Sequence, residues 1–319
     1  MNSRLLDRRE FTRLCATSLF SAGAVLAPSS SALAQNSAGG AAPTTRTVKF
    51  RDGTIVPALG QGSARLRKGR HPQAAEEEAL RTGLSLGMTL IDTAELYGSE
   101  ELIGRAIAGQ RDRVFLVSKV WQTHVAGDGI ARACEASLAR LGTDHLDLYL
   151  LHWPQKVVGL SSIVVAFESL RTKGKIRAWG VSNFTVRDME ELFRVPGGDR
   201  CATNQVYYSL SGRGPGFDLV PWLQQRGVVT MAYSPIDQGA LAANTALAAI
   251  AERRGLSAAQ LALAWLVAQP GVLAIPKATG EAHLRENLAA RDLVLDGAER
   301  AALDRAFPPP RRKTSLRMI

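Results

Sequence analysis

Residues 87–100 read GMTLIDTAELYGSE. The front half, MTLID, carries the apolar run and the β-branched Thr89 and Ile91 of a buried strand. An ionisable acid, Asp92, stands at its end, and a phenol, Tyr97, follows in a segment that reads as loop. An acid where apolar core gives way to loop calls for a partner, because a buried charge is tolerated only when it is paired.

Working outward from this stretch, seven further strand-like runs recur. They are PALGQGSA (57–64), VFLVSKV (114–120), LDLYLLHW (146–153), IRAWGVSN (176–183), TNQVYYSL (203–210), VVTMAYSP (228–235) and GVLAIPKA (271–278). Helical patterns lie between them, as in 74–87, 131–142 and 256–269. The runs are almost continuously apolar, so both faces of each strand are buried, as in a parallel sheet. Eight such β/α units predict an α/β fold of the TIM-barrel, (β/α)8, kind. A doubly wound sheet would need GxGxxG after its first strand. Gly60-Gln61-Gly62 supplies two glycines and no third follows in place. Ahead of the first run, VKFRDGTIVP (48–57) places Asp52-Gly53 between two short β runs, which predicts an N-terminal hairpin.

The 319 residues are 46% apolar and 21% charged, enough for one large globular core. The net charge of +10 could suit nucleic acid, but several of the cations cluster at the two ends, and no long basic helix with interleaved aromatics lies between. We therefore expect no nucleic-acid partner. Cys15, Cys134 and Cys201 have neither metal-site nor CxxC spacing, and no metal site is expected. Arg8-Arg9 is followed by Phe11, a short apolar stretch from Leu14 to Leu26, and Ala32-Leu33-Ala34. Paired arginines, moderate hydrophobicity and a small-x-small cleavage site resemble a twin-arginine export signal. This predicts a signal at 1–34, a disordered linker at 35–45, a barrel at 46–310 and a short basic tail at 311–319. It also predicts a periplasmic or exported protein with no membrane insertion after cleavage.

In a TIM barrel, chemistry belongs at the C-terminal ends of the strands. Those ends carry Asp92 with Tyr97 beyond it, Lys119, His152, Ser182-Asn183, Gln205, Tyr233-Ser234 and Lys277. Each alone has an ordinary structural explanation, such as a helix cap or a core histidine. Together at one rim, Asp, Tyr, Lys and His point to chemistry. The motifs GMTLIDTAELYG, FLVSKV, LHWP, GVSNF, NQV, AYSP and IPK…REN, in this order, resemble the aldo-keto reductase superfamily over about 48–310. Within it, CATNQVYYSL and FDLVPW are similar to bacterial members that reduce methylglyoxal and related small aldehydes.

The resemblance implies an NAD(P)H-dependent carbonyl reductase with Tyr97 as general acid. A phenol is a feeble acid at neutral pH, and a neighbouring ammonium favours its phenolate. Lys119 is the expected ammonium, Asp92 the acid that keeps it charged, and His152 the group that orients the carbonyl. By resemblance Ser182, Asn183 and Gln205 hold a nicotinamide carboxamide, and Tyr233 stacks on the ring with Ser234 beside it. Lys277 meets the 2′-phosphate of NADPH, and Glu286 and Asn287 grip adenine. The family's usual Ser after the lysine and Arg six residues beyond it are Ala278 and His283 here. NADPH is therefore expected with a weakened phosphate grip that Arg285 could offset, and NADH remains admissible.

The short connection at 154–163 and the short tail predict an open pocket for a small carbonyl. Trp153 is expected as one wall, with Tyr208 and the 211–218 loop approaching it. The expected state is a monomer. Two other classes compete: a nucleotide-binding sensor on the same fold, and a metal-dependent hydrolase. Five histidines, with only His152 at a strand end, fit the hydrolase poorly.

Overall fold

A computed structural model describes residues 45–319. The predicted export signal, and the linker except Thr45, lie outside the described residues. The chain opens with β1 (Thr47–Lys49) and β2 (Ile55–Pro57), paired antiparallel. Gly53 turns the hairpin at φ 94°, a left-handed conformation that glycine adopts at little cost. Phe50 in the turn stacks on Phe115 with ring centroids 5.4 Å apart, which places the hairpin at the N-terminal end of the barrel strands.

The barrel strands are β3 (Gln61–Gly62), β4 (Leu90–Asp92), β5 (Phe115–Val120), β6 (Leu146–Leu151), β7 (Ile176–Ser182), β8 (Thr203–Tyr207), β9 (Val229–Tyr233) and β10 (Val272–Ala274). All pair in parallel in chain order. Backbone hydrogen bonds from Gly60 N to Ala274 O and from Gly62 N to Pro276 O, each 2.9 Å, join the first strand to the last. The two glycines that failed as a nucleotide fingerprint have this purpose. A Cβ on Gly62 would stand 2.6 Å from the Ile275 carbonyl oxygen, so only glycine permits the seam.

Helices α1 (Gln73–Ser85), α2 (Glu100–Ile107), α3 (Gly129–Leu141), α4 (Leu160–Thr172), α5 (Val186–Phe193) and α6 (Leu219–Gln225) follow successive strands. Then come α7 (Thr245–Ala251) and α8 (Ala258–Val267) after β9, α9 (Glu281–Arg291) after β10, and α10 (Gly297–Ala306). β6 is buried at every residue, as the continuous apolar run required. Strand and helix layers meet in stacks such as Phe167 on Trp179, at 5.4 Å and 3° between planes. Cys134 and Cys201 are buried free thiols. Among the described residues no helix is long and apolar enough to cross a membrane.

The tail departs from expectation. Arg317 lies over the Tyr207 ring at 4.4 Å and pairs with Asp237 at 3.0 Å, and Ile319 reaches the cavity at the strand ends. A cation with an aromatic face and a carboxylate in reach gains enough to fix a short tail.

Candidate active site

A cavity of about 670 Å³ opens at the C-terminal end of the barrel. The strand ends deliver Asp92, Tyr97, His152, Ser182, Asn183, Gln205, Tyr233, Ser234 and Lys277 into its lining, with Trp153 as a wall. Lys119 lies beneath, fully buried. Its Nζ donates to Asp92 Oδ2 at 2.8 Å and to the Thr93 carbonyl oxygen at 2.7 Å. Gln205 Nε2 donates to the other oxygen of Asp92 at 2.7 Å. The acid at the end of β4 therefore has its partner, and both of its oxygens are engaged.

Tyr97 sits in a one-turn helix, Glu95–Tyr97, which Gly98 ends in the left-handed conformation at φ 70°. Its hydroxyl is 3.4 Å from His152 Nε2, and Lys119 Nζ is 4.9 Å from its ring centroid. Burial pushes the phenol above its ordinary range, and the Asp92 charge pushes it further. The lowering expected from Lys119 does not outweigh burial and the Asp92 charge. Burial lowers Lys119 and raises Asp92, each opposed by the other's charge. Burial, and then the Lys119 charge, bring His152 down to about 3, so its imidazole is neutral at ordinary pH. Its buried Nδ1 has no hydrogen-bond partner among the described residues.

Beside this group, Ser182 Oγ donates to the Gln205 carbonyl oxygen at 2.8 Å, and the Tyr233 hydroxyl donates to Asn183 Oδ1 at 3.0 Å. Asn183 and Ser234 follow directly on β7 and β9 with φ of 62° and 49°. Left-handed backbone at residues other than glycine stores strain that the surroundings must hold, and such residues gather at working sites.

Lys277 stands at the mouth, where burial lowers its ammonium pKa against the opposing pull of Glu76. Glu286 and Asn287 lie on α9, outside the cavity lining. Arg285 is engaged by Glu281 at 2.6 Å. Tyr208, expected at the pocket, is instead buried against Trp265 of α8 at 5.8 Å. The alternation of β8 explains this. Gln205 faces the barrel interior and Tyr207 shares its face, so Tyr208 turns outward to the helix layer.

Trp121 and Leu96 are lining residues that sequence reasoning missed, with Arg65, Lys68 and Arg70 at the mouth. Trp121 meets the His152 ring edge-on at 5.4 Å. Its place directly after β5, two residues from Lys119, was the available signal. Among the described residues no group of three or more His, Cys, Asp or Glu is disposed to hold a metal.

Residues 58–307 match the model of the aldo/keto reductase family. The chain is 46% identical over 282 residues to methylglyoxal reductase YeaE of Escherichia coli K12, covering 86% of this chain and 99% of that protein. It is 31% identical over 253 residues to methylglyoxal reductase DkgB of E. coli O157:H7, covering 78% and 92%. The crystal structure of an aldo-keto reductase from Klebsiella pneumoniae in complex with NADPH superposes with a TM-score of 0.84 at 48% identity, covering 86% of this chain and 100% of that one.

Proposed function

The chain belongs to the aldo/keto reductase family, and from that premise we propose that it reduces small aldehydes and ketones, methylglyoxal-like carbonyls among them, with NADPH and with Tyr97 as proton donor. The observation that carries this reading is the convergence of Asp92, Tyr97, Lys119 and His152 at one cavity, with the Tyr97 hydroxyl 3.4 Å from His152 Nε2.

The residues present fit the cofactor. Cations at the mouth suit its phosphates, and the Ser182, Asn183 and Gln205 amide and hydroxyl groups suit a carboxamide. Bound NADPH supplies the hydride. The chain's own groups do the rest. His152 is neutral, so an Nε2–H can donate to the carbonyl oxygen and fix its approach. As hydride reaches the carbon, the electron pair of the C=O bond moves to oxygen, and that oxygen takes the Tyr97 proton. A phenol held above its ordinary pKa is fully protonated at neutrality, so its proton is in place for the developing alkoxide. The nearby Lys119 charge stabilises the phenolate left behind, and in the reverse direction that phenolate is the base. Trp121, Trp153 and Leu96 line the cavity with apolar surface.

The test is Tyr97→Phe assayed against a panel of small aldehydes. The rate should fall about 10²–10⁴-fold, the usual weight of a positioned acid. NADPH should still quench tryptophan fluorescence. A variant that retains more than about a tenth of the rate would place the proton donor elsewhere.

We further propose that residues 1–34 direct export by the twin-arginine route. Support comes from Arg8-Arg9, the short apolar stretch and Ala32-Leu33-Ala34.

A further inference from the structure

The mouth of the cavity is lined by Arg65, Lys68, Arg70 and Lys277, and the one acidic side chain in the lining is Asp92, deep inside and held by Lys119, with the terminal residue Ile319 also in the lining. Three of these cations come from a single loop, residues 64–71, between β3 and α1. The loop's shape is fixed by its own contacts. Leu66 is buried at its centre. Arg67 adopts φ 57°, and its N–H donates to the buried Glu76 Oε2 at 2.7 Å. The Arg67 guanidinium reaches away, to the Gly98 carbonyl oxygen at 2.9 Å and Glu101 at 3.2 Å. At the loop's end, His71 Nε2 lies 3.1 Å from Thr279 Oγ1, which ties the loop to the segment that carries Lys277.

Lys68 and Arg70 form no ion pair or side-chain hydrogen bond among the described residues, although nearly every other arginine around them is engaged. Burial lowers the Lys277 ammonium and Glu76 opposes it, while Arg70 and then Arg65 are close enough to add repulsion. Like charges gathered round one opening, with the buried Glu76 as the acid that opposes them at Lys277, favour an anion between them. On the opposite side, Ala278 is apolar and Arg285 is committed to Glu281.

We infer that the 64–71 loop carries the site that selects NADPH over NADH: Arg70 and Lys68 join Lys277 around the 2′-phosphate and replace the hydroxyl and guanidinium missing at 278 and 283. This rests on the NADPH reading above. The selecting charge then comes from the loop after the first barrel strand rather than from the loop after the last.

The experiment titrates the tryptophan fluorescence of the full chain with NADPH, NADH and 2′,5′-ADP, the last having the 2′-phosphate but no nicotinamide. The chains compared are wild type, Arg70→Ala and Lys68→Ala/Arg70→Ala. Both substituted side chains are exposed, so the fold should survive. Arg70→Ala should weaken NADPH and 2′,5′-ADP about tenfold, the weight of one charge-assisted hydrogen bond. The double variant should weaken them further, and NADH should change little. An unchanged NADPH-to-NADH affinity ratio in the double variant would overturn the inference. Equal losses for both dinucleotides would also overturn it, since the cations would then serve the shared pyrophosphate. A wild-type chain that binds NADH but neither NADPH nor 2′,5′-ADP would take down the NADPH reading itself, and the inference with it.

Discussion

Asp92 and Lys119 are the residues on which the site turns, and they contribute in opposite directions to fold and function. Each is pulled toward its neutral form by burial and held charged by the other. A buried ion pair rarely stabilises a fold relative to apolar residues of the same volume, while a broken one is costly. Asp92→Asn should therefore lose about 3–5 kcal/mol in denaturant unfolding, because it strands a buried ammonium. Asp92→Leu/Lys119→Met should recover most of that loss and yet have almost no reductase activity. A double variant as unstable as the single one would mean that the pair is there for stability. His152 gives a second residue-scale prediction. Its folded pKa of about 3 lies below that of an unfolded histidine. Between these two values the unfolded chain binds the extra proton, so this group makes stability rise with pH from about 3 to about 6.5. His152→Gln should flatten the stability-against-pH curve in that window and leave it unchanged above neutrality. An identical slope in wild type and variant would count against a buried neutral imidazole.

At the scale of the element, the strands place the chemistry and the loops decide what reaches it. β4 ends on Asp92 and β5 delivers Lys119, so two neighbouring strands build the pair through their register alone. The 311–319 tail is an element the strand pattern could not anticipate. Arg317 ties it to Asp237 and Tyr207, and the same Asp237 accepts from Ser211 at 2.9 Å. The tail thereby fixes Ile319 against the cavity. Arg317→Ala should free the tail and raise KM for small aldehydes about fivefold, a scale set by an exposed ion pair plus a cation–aromatic contact. kcat should change little, and carboxypeptidase should remove the last residues faster. A KM equal to that of wild type would mean that Ile319 forms no part of the substrate wall.

At the scale of the whole molecule, the described residues form one closed barrel with its hairpin at one end and its cavity at the other. Twin-arginine export carries folded proteins, which suits a barrel that must acquire a nucleotide where nucleotides are made. Replacing Arg8-Arg9 by a lysine pair should hold the precursor in the cytoplasm, as judged by fractionation. Mature protein appearing outside the inner membrane at the normal level would sink the export proposal. The same scale shows why the strand count succeeded. Every barrel strand is covered on both faces, so each had to be a nearly continuous apolar run, and such runs can be counted without coordinates.

The sequence by itself determined the eight strands, the hairpin at Asp52-Gly53 and the rim positions of Asp92, Tyr97, Lys119 and His152, because burial dictates composition and strand ends follow from where apolar runs stop. It also showed Ala278 and His283 as departures, since those are plain identities. Tertiary structure alone decided what depends on direction and neighbours. Tyr208 and Tyr207 are adjacent aromatics, and only the pleat of β8 sends the first to α8 and leaves the second under Arg317. Gly60 and Gly62 resembled half a nucleotide motif until the closing seam against Ala274 and Pro276 gave their reason. Arg65, Lys68 and Arg70 were part of a diffuse positive charge until His71 and Thr279 brought their loop beside Lys277. Local pattern records how deeply a residue is buried, but which distant residue faces it is set by chain closure, and that information is not local.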